Sequence, residues 1–341
     1  MLYDIVYDDN NNIIRVRKRR RSQPKLEGSI TVNRIPRSHA KIKNNEIIPR
    51  EKLRSMIHIP TIQDNEITVI REHKSIGDSI TILSGIQELH NRGIKVYYQA
   101  HDNSYELFLN HPALELQKLG SEINTRTVVN LSRPCPAGEY ESANPNPEFS
   151  RHIIFAIAIG SFKPVIPRLY LTEQERAWGR EFVKTTNNVG VVLRSAEIWK
   201  DYPYNHELIQ LLQDKYQVYI YDKSIKIDNC INVVGYSLRE VMAILIYMDC
   251  VVTPDTGIMH MCEALDAPCV ALFGSMQTQR YLNRGFDSSI TFLQGKCIHD
   301  KEPCMYQRCK GKGEYQPCME FKPEYILEKV EEKIYGYSER W

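Results

Sequence analysis

Residues 251–275 read VVTPDTGIMHMCEALDAPCVALFGS. The apolar run 250–253 has the length and composition of a buried strand, and it stops at Pro254-Asp255-Thr256-Gly257. Helical spacing follows over 259–265 and a second strand-like run over 269–273. A turn that opens straight into a helix presents N–H groups with no acceptor of their own, and Gly257 lets a ligand approach the backbone. Thr256 adds a hydroxyl donor, and His260 lies about one turn into the helix, at the same end. In open α/β sheets ligands sit at the carboxyl ends of the strands, where this turn falls, and a diphosphate is the matching ligand. Without a ligand, the same turn reads as Asp255 capping a helix and His260 on its surface.

Outward from this stretch, strand and helix patterns alternate. Strands are predicted at 67–70, 95–99, 127–131, 190–193, 217–221, 250–253 and 269–273. Helices are predicted at 79–90, 105–110, 151–159, 172–185, 205–215, 237–247, 259–265 and 324–334, with Thr172 and Glu175 as a capping box. Residues 134–148, rich in Pro, Gly and Asn, read as a loop. This alternation predicts βαβ units and parallel sheets. The expected organisation is a basic extension over 1–60, one Rossmann-like domain over 61–165, a second over 166–325, and a terminal helix over 326–341.

The quoted stretch resembles glycosyltransferase family 9, the heptosyltransferase-like enzymes of GT-B fold. Their signature joins a D-T-G-x-x-H turn to a strand reading roughly P-x-V-A-L-F-G, and both parts occur here in order. The resemblance covers roughly residues 66–335. It implies an α/β, GT-B architecture with two Rossmann-like domains facing a cleft. It also implies an inverting glycosyltransferase whose C-terminal domain holds a nucleotide-sugar donor, ADP- or UDP-linked, while the N-terminal domain meets the acceptor. Asp255, Thr256, Gly257 and His260 would then bind the donor diphosphate, and no cofactor would be required.

Two further segments fit that resemblance. His73-Lys-Ser-Ile-Gly-Asp78 stands where the family has K-x-x-x-G-D, whose aspartate acts as the catalytic base; this makes Asp78 the group that takes the proton from the acceptor hydroxyl. The plainer reading of Asp78 is a helix cap supported by Ser75. In Arg194-Ser-Ala-Glu-Ile-Trp-Lys-Asp-Tyr-Pro203, Ser195 and Lys200 match the family's hydroxyl residue and the lysine before an aromatic-Pro pair. Lys200 would neutralise charge on the leaving group. Arg194 and Asp222 are further donor-site candidates, Asp222 toward the nucleoside.

Composition bounds the rest. The 341 residues are 42% hydrophobic and 25% charged, as in globular proteins, with no apolar run long enough to cross a bilayer. Residues 1–60 hold 14 Lys/Arg against 6 Asp/Glu, whereas the remainder is mildly acidic. The cluster Arg15, Arg17, Lys18, Arg19, Arg20 and Arg21 reads either as a solvated arm or as a polyanion footprint. The polyanion is either an acceptor glycan at an anionic membrane face or DNA. Transfer to hydroxymethylated bases of a viral genome is thus an alternative function. A non-catalytic nucleic-acid-binding protein on a degenerate GT-B scaffold is a third. Cys297, Cys304, Cys309 and Cys318 lack the CxxC pairing of strong zinc sites; reduced structural thiols, zinc and disulfides all remain open. Nine cysteines and no signal-like N-terminus predict a cytoplasmic location, in a host cell for a viral protein or peripheral at the membrane face. The lone Asp-Thr-Gly does not make an aspartic protease, because a helix follows and no second copy exists. A nucleotide-sugar epimerase lacks its GxxGxxG after the first strand.

Overall fold

A computed structural model describes residues 57–132, 135–143, 149–183, 186–223, 225–278, 289–297 and 317–336, together with the backbone of three N-terminal strands. Those strands, β1 (Leu2–Tyr7), β2 (Ile13–Arg19) and β3 (Ser29–Val32), form an antiparallel sheet in the order β2-β1-β3. β1 pairs antiparallel with both of its neighbours. Arg15, Arg17, Lys18 and Arg19 fall in β2, while Arg20 and Arg21 lie outside the described residues.

The N-terminal lobe is built on β4 (Glu66–Arg71), β5 (Lys95–Ala100), β6 (Glu115–Lys118) and β7 (Val128–Asn130), all parallel, in the order β6-β5-β4-β7. β4 buries every residue but its half-exposed first one, as a central strand covered on both faces should. Helix α1 (Ile76–Asn91) follows it directly and buries Ile80, Leu83, Ile86 and Leu89, one apolar stripe at helical spacing. The short α2 (Asp102–Tyr105) and a 3-10 turn (Glu106–Phe108) replace the single helix predicted at 105–110. β6 was missed because Glu115-Leu-Gln-Lys118 is an edge strand with no buried residue to mark it.

Part of the loop predicted at 134–148 is corrected as well, residues 134 and 144–148 lying outside the described residues. Helix α3 (Pro136–Ala143) occupies the predicted loop, burying Ala137 and Tyr140 beside α4 (Arg151–Ala158). Proline is tolerated in a first helical turn, so Pro136 starts this helix rather than preventing it.

The C-terminal lobe carries β8 (Asn188–Val191), β9 (Gln217–Ile220), β10 (Ile231–Asn232), β11 (Cys250–Pro254), β12 (Cys269–Phe273) and β13 (Ile290–Gln294). All pairings are parallel, in the order β10-β9-β8-β11-β12-β13. Counted within the lobe this is 3-2-1-4-5-6, the Rossmann order, with its switch point between β8 and β11. Around the sheet lie α5 (Glu173–Phe182), α6 (Asn205–Gln213), α7 (Leu238–Leu245), α8 (Gly257–Leu265) and α9 (Pro323–Tyr335). The capping box at Thr172 and Glu175 forms, and a second joins Ser237 to Glu240. Helix α9 packs on α6 with Ile326 and Val330 buried, so it belongs to this lobe's core.

One apolar cluster runs through both lobes, from Ile67, Ile86 and Phe155 to Ile244, Met259 and Phe273. Helices α1 and α8 pack against each other across the lobes. Each begins at one of the two motif loops, and their contact sets the geometry of the site.

Candidate functional site

On the C-terminal side the site grows from the switch point, where chains leaving β8 and β11 diverge and open a crevice. After β11 the chain turns through Asp255 and Thr256 into α8. Thr256 occupies the N-cap position with extended backbone and no side-chain cap bond. The first N–H groups of α8 therefore have neither an intrahelical acceptor nor a side-chain cap. Asp255 does not cap the helix. It is 6% exposed and its carboxylate accepts a hydrogen bond from Lys200 Nζ at 2.8 Å, the same ammonium donating to the Asp255 carbonyl at 3.1 Å. The Thr253 and Thr256 hydroxyls bond each other at 2.8 Å. Along the loop after β8, Ser195 N donates to Asp201 at 2.7 Å, and Ser195 Oγ accepts from Glu197 N at 3.1 Å. These bonds fold the loop so that Lys200 reaches back to the α8 turn.

On the N-terminal side Asp78 lies in the first turn of α1, its side chain 13% exposed. Its Oδ1 accepts from Arg151 at 2.6 Å; its Oδ2 accepts from Arg71 at 2.8 Å and from Ser75 Oγ at 3.0 Å. Burial works to raise this carboxyl's pKa, but Arg151 and Arg71 outweigh it and hold it well below the usual carboxylate range. Arg71 is 1% exposed at the end of β4 and also donates to the Leu131 carbonyl at 2.6 Å. Arg151, at the start of α4, grips Glu141 through two bonds of 2.9 Å. Ser75 supports Asp78 as expected, though Ser75 itself holds the N-cap position.

The two sides touch. A Cβ on Gly77 would stand 2.5 Å from His260 Cδ2 and 2.8 Å from Nε2, and one on Gly257 would stand 3.0 Å from Ile76 Cγ2. Glycine at both positions lets the helix N-termini abut. Between them opens a cavity of about 820 Å³ whose walls include Asp78, Arg151, Arg194, Ser195, Lys200, Asp222, Asp255, Thr256, Gly257 and His260. All nine predicted site residues of the two lobes thus line one space. His260 is 3% exposed rather than a surface residue, and burial lowers its pKa against the opposing pull of Glu263, Asp255 and Asp78.

Sequence reasoning missed Arg71, Glu141, Arg151, His152 and Glu263. For all but Glu141 the signal was a charged or polar residue on an otherwise apolar element: Arg71 ending ITVIR, Arg151-His152 opening RHIIFAIA, and Glu263 within GIMHMCEAL. Of the cysteines, Cys297 is half-buried and Cys318 buried beside Gly274, while Cys304 and Cys309 lie outside the described residues.

Two facing Rossmann-like lobes with a cleft at their abutting helix ends define the GT-B fold. Residues 152–310 match the family model of glycosyltransferase family 9 (heptosyltransferase), which takes in the α8 turn and leaves Asp78 outside. Lipooligosaccharide heptosyltransferase 2 of Haemophilus influenzae is 28% identical over 138 residues, 40% of this chain; the chain spans about a third (35%) of that relative's length. A family 9 glycosyltransferase from Veillonella parvula superposes with a TM-score of 0.61 at 13% identity, over 82% of this chain and 99% of that one. The glycosyltransferase TibC from enterotoxigenic E. coli, described as iron-containing and dodecameric, superposes at 0.58 with 12% identity, over 98% of this chain and 91% of that one. TibC has also been solved as a heptosyltransferase in complex with ADP-D-β-D-heptose. Over residues 152–310 the chain is thus similar to glycosyltransferase family 9, and over its described length it shares the fold of these enzymes. Among the described residues, no helix is long and apolar enough to cross a membrane.

Proposed function

We propose that the protein is an inverting, heptosyltransferase-like glycosyltransferase that moves a sugar from a nucleotide-sugar donor to an acceptor hydroxyl. The observation that carries this reading is the shared cavity: the carboxylate of Asp78 comes from one lobe, and the α8 turn with His260 and Lys200 comes from the other. The donor diphosphate lies on the first-turn N–H groups of α8, with Thr256 and Gly257 against it and Lys200 beside it. Ser195 and Arg194 border the donor, and Asp222, just beyond β9, takes the nucleoside end. The relatives' donor makes an ADP-linked heptose the first choice, and their acceptor makes a lipooligosaccharide-type glycan the first choice of acceptor.

In the reaction the acceptor oxygen forms a bond to the anomeric carbon from the face opposite the diphosphate. The carbon–oxygen bond to the diphosphate breaks, and the nucleoside diphosphate leaves with the electron pair. The acceptor proton passes to Asp78. Its two arginines make Asp78 a weak base toward a free alcohol, so proton transfer belongs late in the step. Once the acceptor oxygen is bonded to carbon it is oxonium-like and far more acidic, and a weak carboxylate base suffices. Lys200, His260 and the helix terminus meet the charge on the departing diphosphate, so the scheme needs no metal step.

Deleting residues 1–56 is the matching test of the arm, because Ile57 is buried in the core. The DNA-directed alternative is supported only by the arm's charge, whereas the glycan reading also has the heptosyltransferase relatives behind it. Incubation with ADP-heptose and lipooligosaccharide, followed by measurement of released ADP, tests the reading. Release that depends on the acceptor supports it; release that appears only with hydroxymethylated DNA replaces it with the alternative.

A further inference from the structure

Glu263 and His152, behind the diphosphate turn, are not used by the scheme above. Glu263, on the second turn of α8, is 7% exposed, and its Oε2 lies 3.1 Å from His152 Nε2 and 4.0 Å from His260 Nδ1. His152 is fully buried on α4 of the opposite lobe, next to Arg151, which holds Asp78. His152 Nδ1 is buried with no hydrogen-bond partner. A bare ring nitrogen tolerates that far better than a buried N–H would, which favours the arrangement in which His152 donates from Nε2 to Glu263. Glu263, His152 and His260 form one buried group whose carboxylate and ring-nitrogen atoms lie within 4.8 Å of one another.

Charge balance decides what happens when a diphosphate arrives. Three cations around the turn, Arg71, Arg151 and Lys200, are engaged with Asp78, Glu141 and Asp255, and Glu263 adds a fourth carboxylate. Lys74, Arg194 and Lys223 stand exposed along the same cavity and are matched in number by Glu197, Asp201 and Asp222, which also line it. A diphosphate brings about two further negative charges into a wall that is already one cation short. The Nε2–Cδ2 edge of His260 lies against Gly77 at the cavity wall, and its Nδ1 faces Glu263.

We propose that binding of a nucleoside diphosphate takes up one proton from solvent, which settles on His260 and is held there by Glu263. The imidazolium then turns Nδ1–H toward Glu263 and Nε2–H toward the diphosphate, and it stays charged as the leaving group departs. Glu263 is a positioning residue that acts through His260, and His152 fixes it from the other lobe. This inference rests on the reading that the α8 turn binds the donor diphosphate. By linkage, a proton taken up on binding makes affinity rise as pH falls, by up to about tenfold per unit.

Titration calorimetry of the full chain with ADP at pH 7.5, repeated in buffers of different ionisation enthalpy, reads the proton count directly. Wild-type protein takes up close to one proton more than Glu263→Gln, and proton exchange by ADP itself is common to both and subtracts. ADP binding to wild type with no proton uptake overturns the inference and leaves the donor site standing. Equal uptake by Glu263→Gln removes Glu263 from the role. Failure of ADP to bind wild type overturns the donor-site reading itself.

Discussion

Gly77 and His260 meet across the two lobes: a side chain on the glycine would place its first carbon 2.5 Å from the imidazole. Each belongs to the first turns of a helix that starts at a motif loop, so this contact fixes how far the carboxylate of Asp78 stands from the diphosphate turn.

Gly77→Ala therefore separates two opposing effects. In an isolated helix, alanine would stabilise by about 1 kcal/mol over glycine. Here the methyl collides with His260, and overpacking of this kind costs about 1–3 kcal/mol. Net destabilisation in urea is expected, with kcat/KM falling on the order of 100-fold as the groups are pushed apart. A more stable variant with unchanged kcat/KM would mean that the lobes do not meet this way.

Much of this was legible in the sequence because it is local. The α8 turn, the Thr172 capping box and the alternation of strand and helix depend on neighbours within one turn or one strand. Asp78 was found by its own loop, but its partners were not. Arg71 reaches it from seven residues upstream and Arg151 from 73 downstream, and no spacing records such a pairing. His152 and Glu263 lie 111 residues apart and meet only because α4 and α8 belong to lobes that close on each other. The helix at Pro136–Ala143 was hidden by its own proline and glycine, and the edge strand Glu115–Lys118 by its polar composition.

Removing Arg71 exposes the energetics of the Asp78 network. Arg71 is buried, bonded to Asp78 and the Leu131 carbonyl, and set 5.5 Å over the Phe155 ring. Arg71→Met leaves a buried carboxylate with one guanidinium fewer, and a loss of about 3–5 kcal/mol in chemical denaturation is expected. A loss under about 1 kcal/mol would place Arg71 outside the network.

The sign of the Asp78 pKa shift gives a pH test. A carboxyl held below its unfolded value of about 3.9 contributes stability that is complete above that pH and is lost as pH falls toward the folded pKa. Between pH 5 and 8 Asp78 stays ionised, so its protonation contributes no acid limb to the rate in that range. An acid limb near pH 6 that disappears in Asp78→Glu would contradict the assignment.

Lys200→Met removes the partner of Asp255 beside the diphosphate turn. A hydrogen bond to a charged group is worth about 1.5–3 kcal/mol, so the Kd for ADP is expected to rise about 10- to 100-fold by calorimetry. An unchanged Kd would mean that the ammonium serves only the loop.

Deleting residues 1–56 removes 14 of the chain's Lys/Arg. If the arm contacts a polyanionic acceptor, acceptor affinity falls and its dependence on salt flattens. An affinity and salt slope that match the full chain would leave the arm without that role.

The most direct test of the catalytic assignment uses Asp78→Asn, which keeps the shape of the side chain and removes its capacity as a base. Donor binding and sugar transfer are measured on the same preparation. The account predicts an ADP Kd within about threefold of wild type and transfer slowed by about 100- to 10,000-fold. Transfer at a near-normal rate in that variant would contradict it.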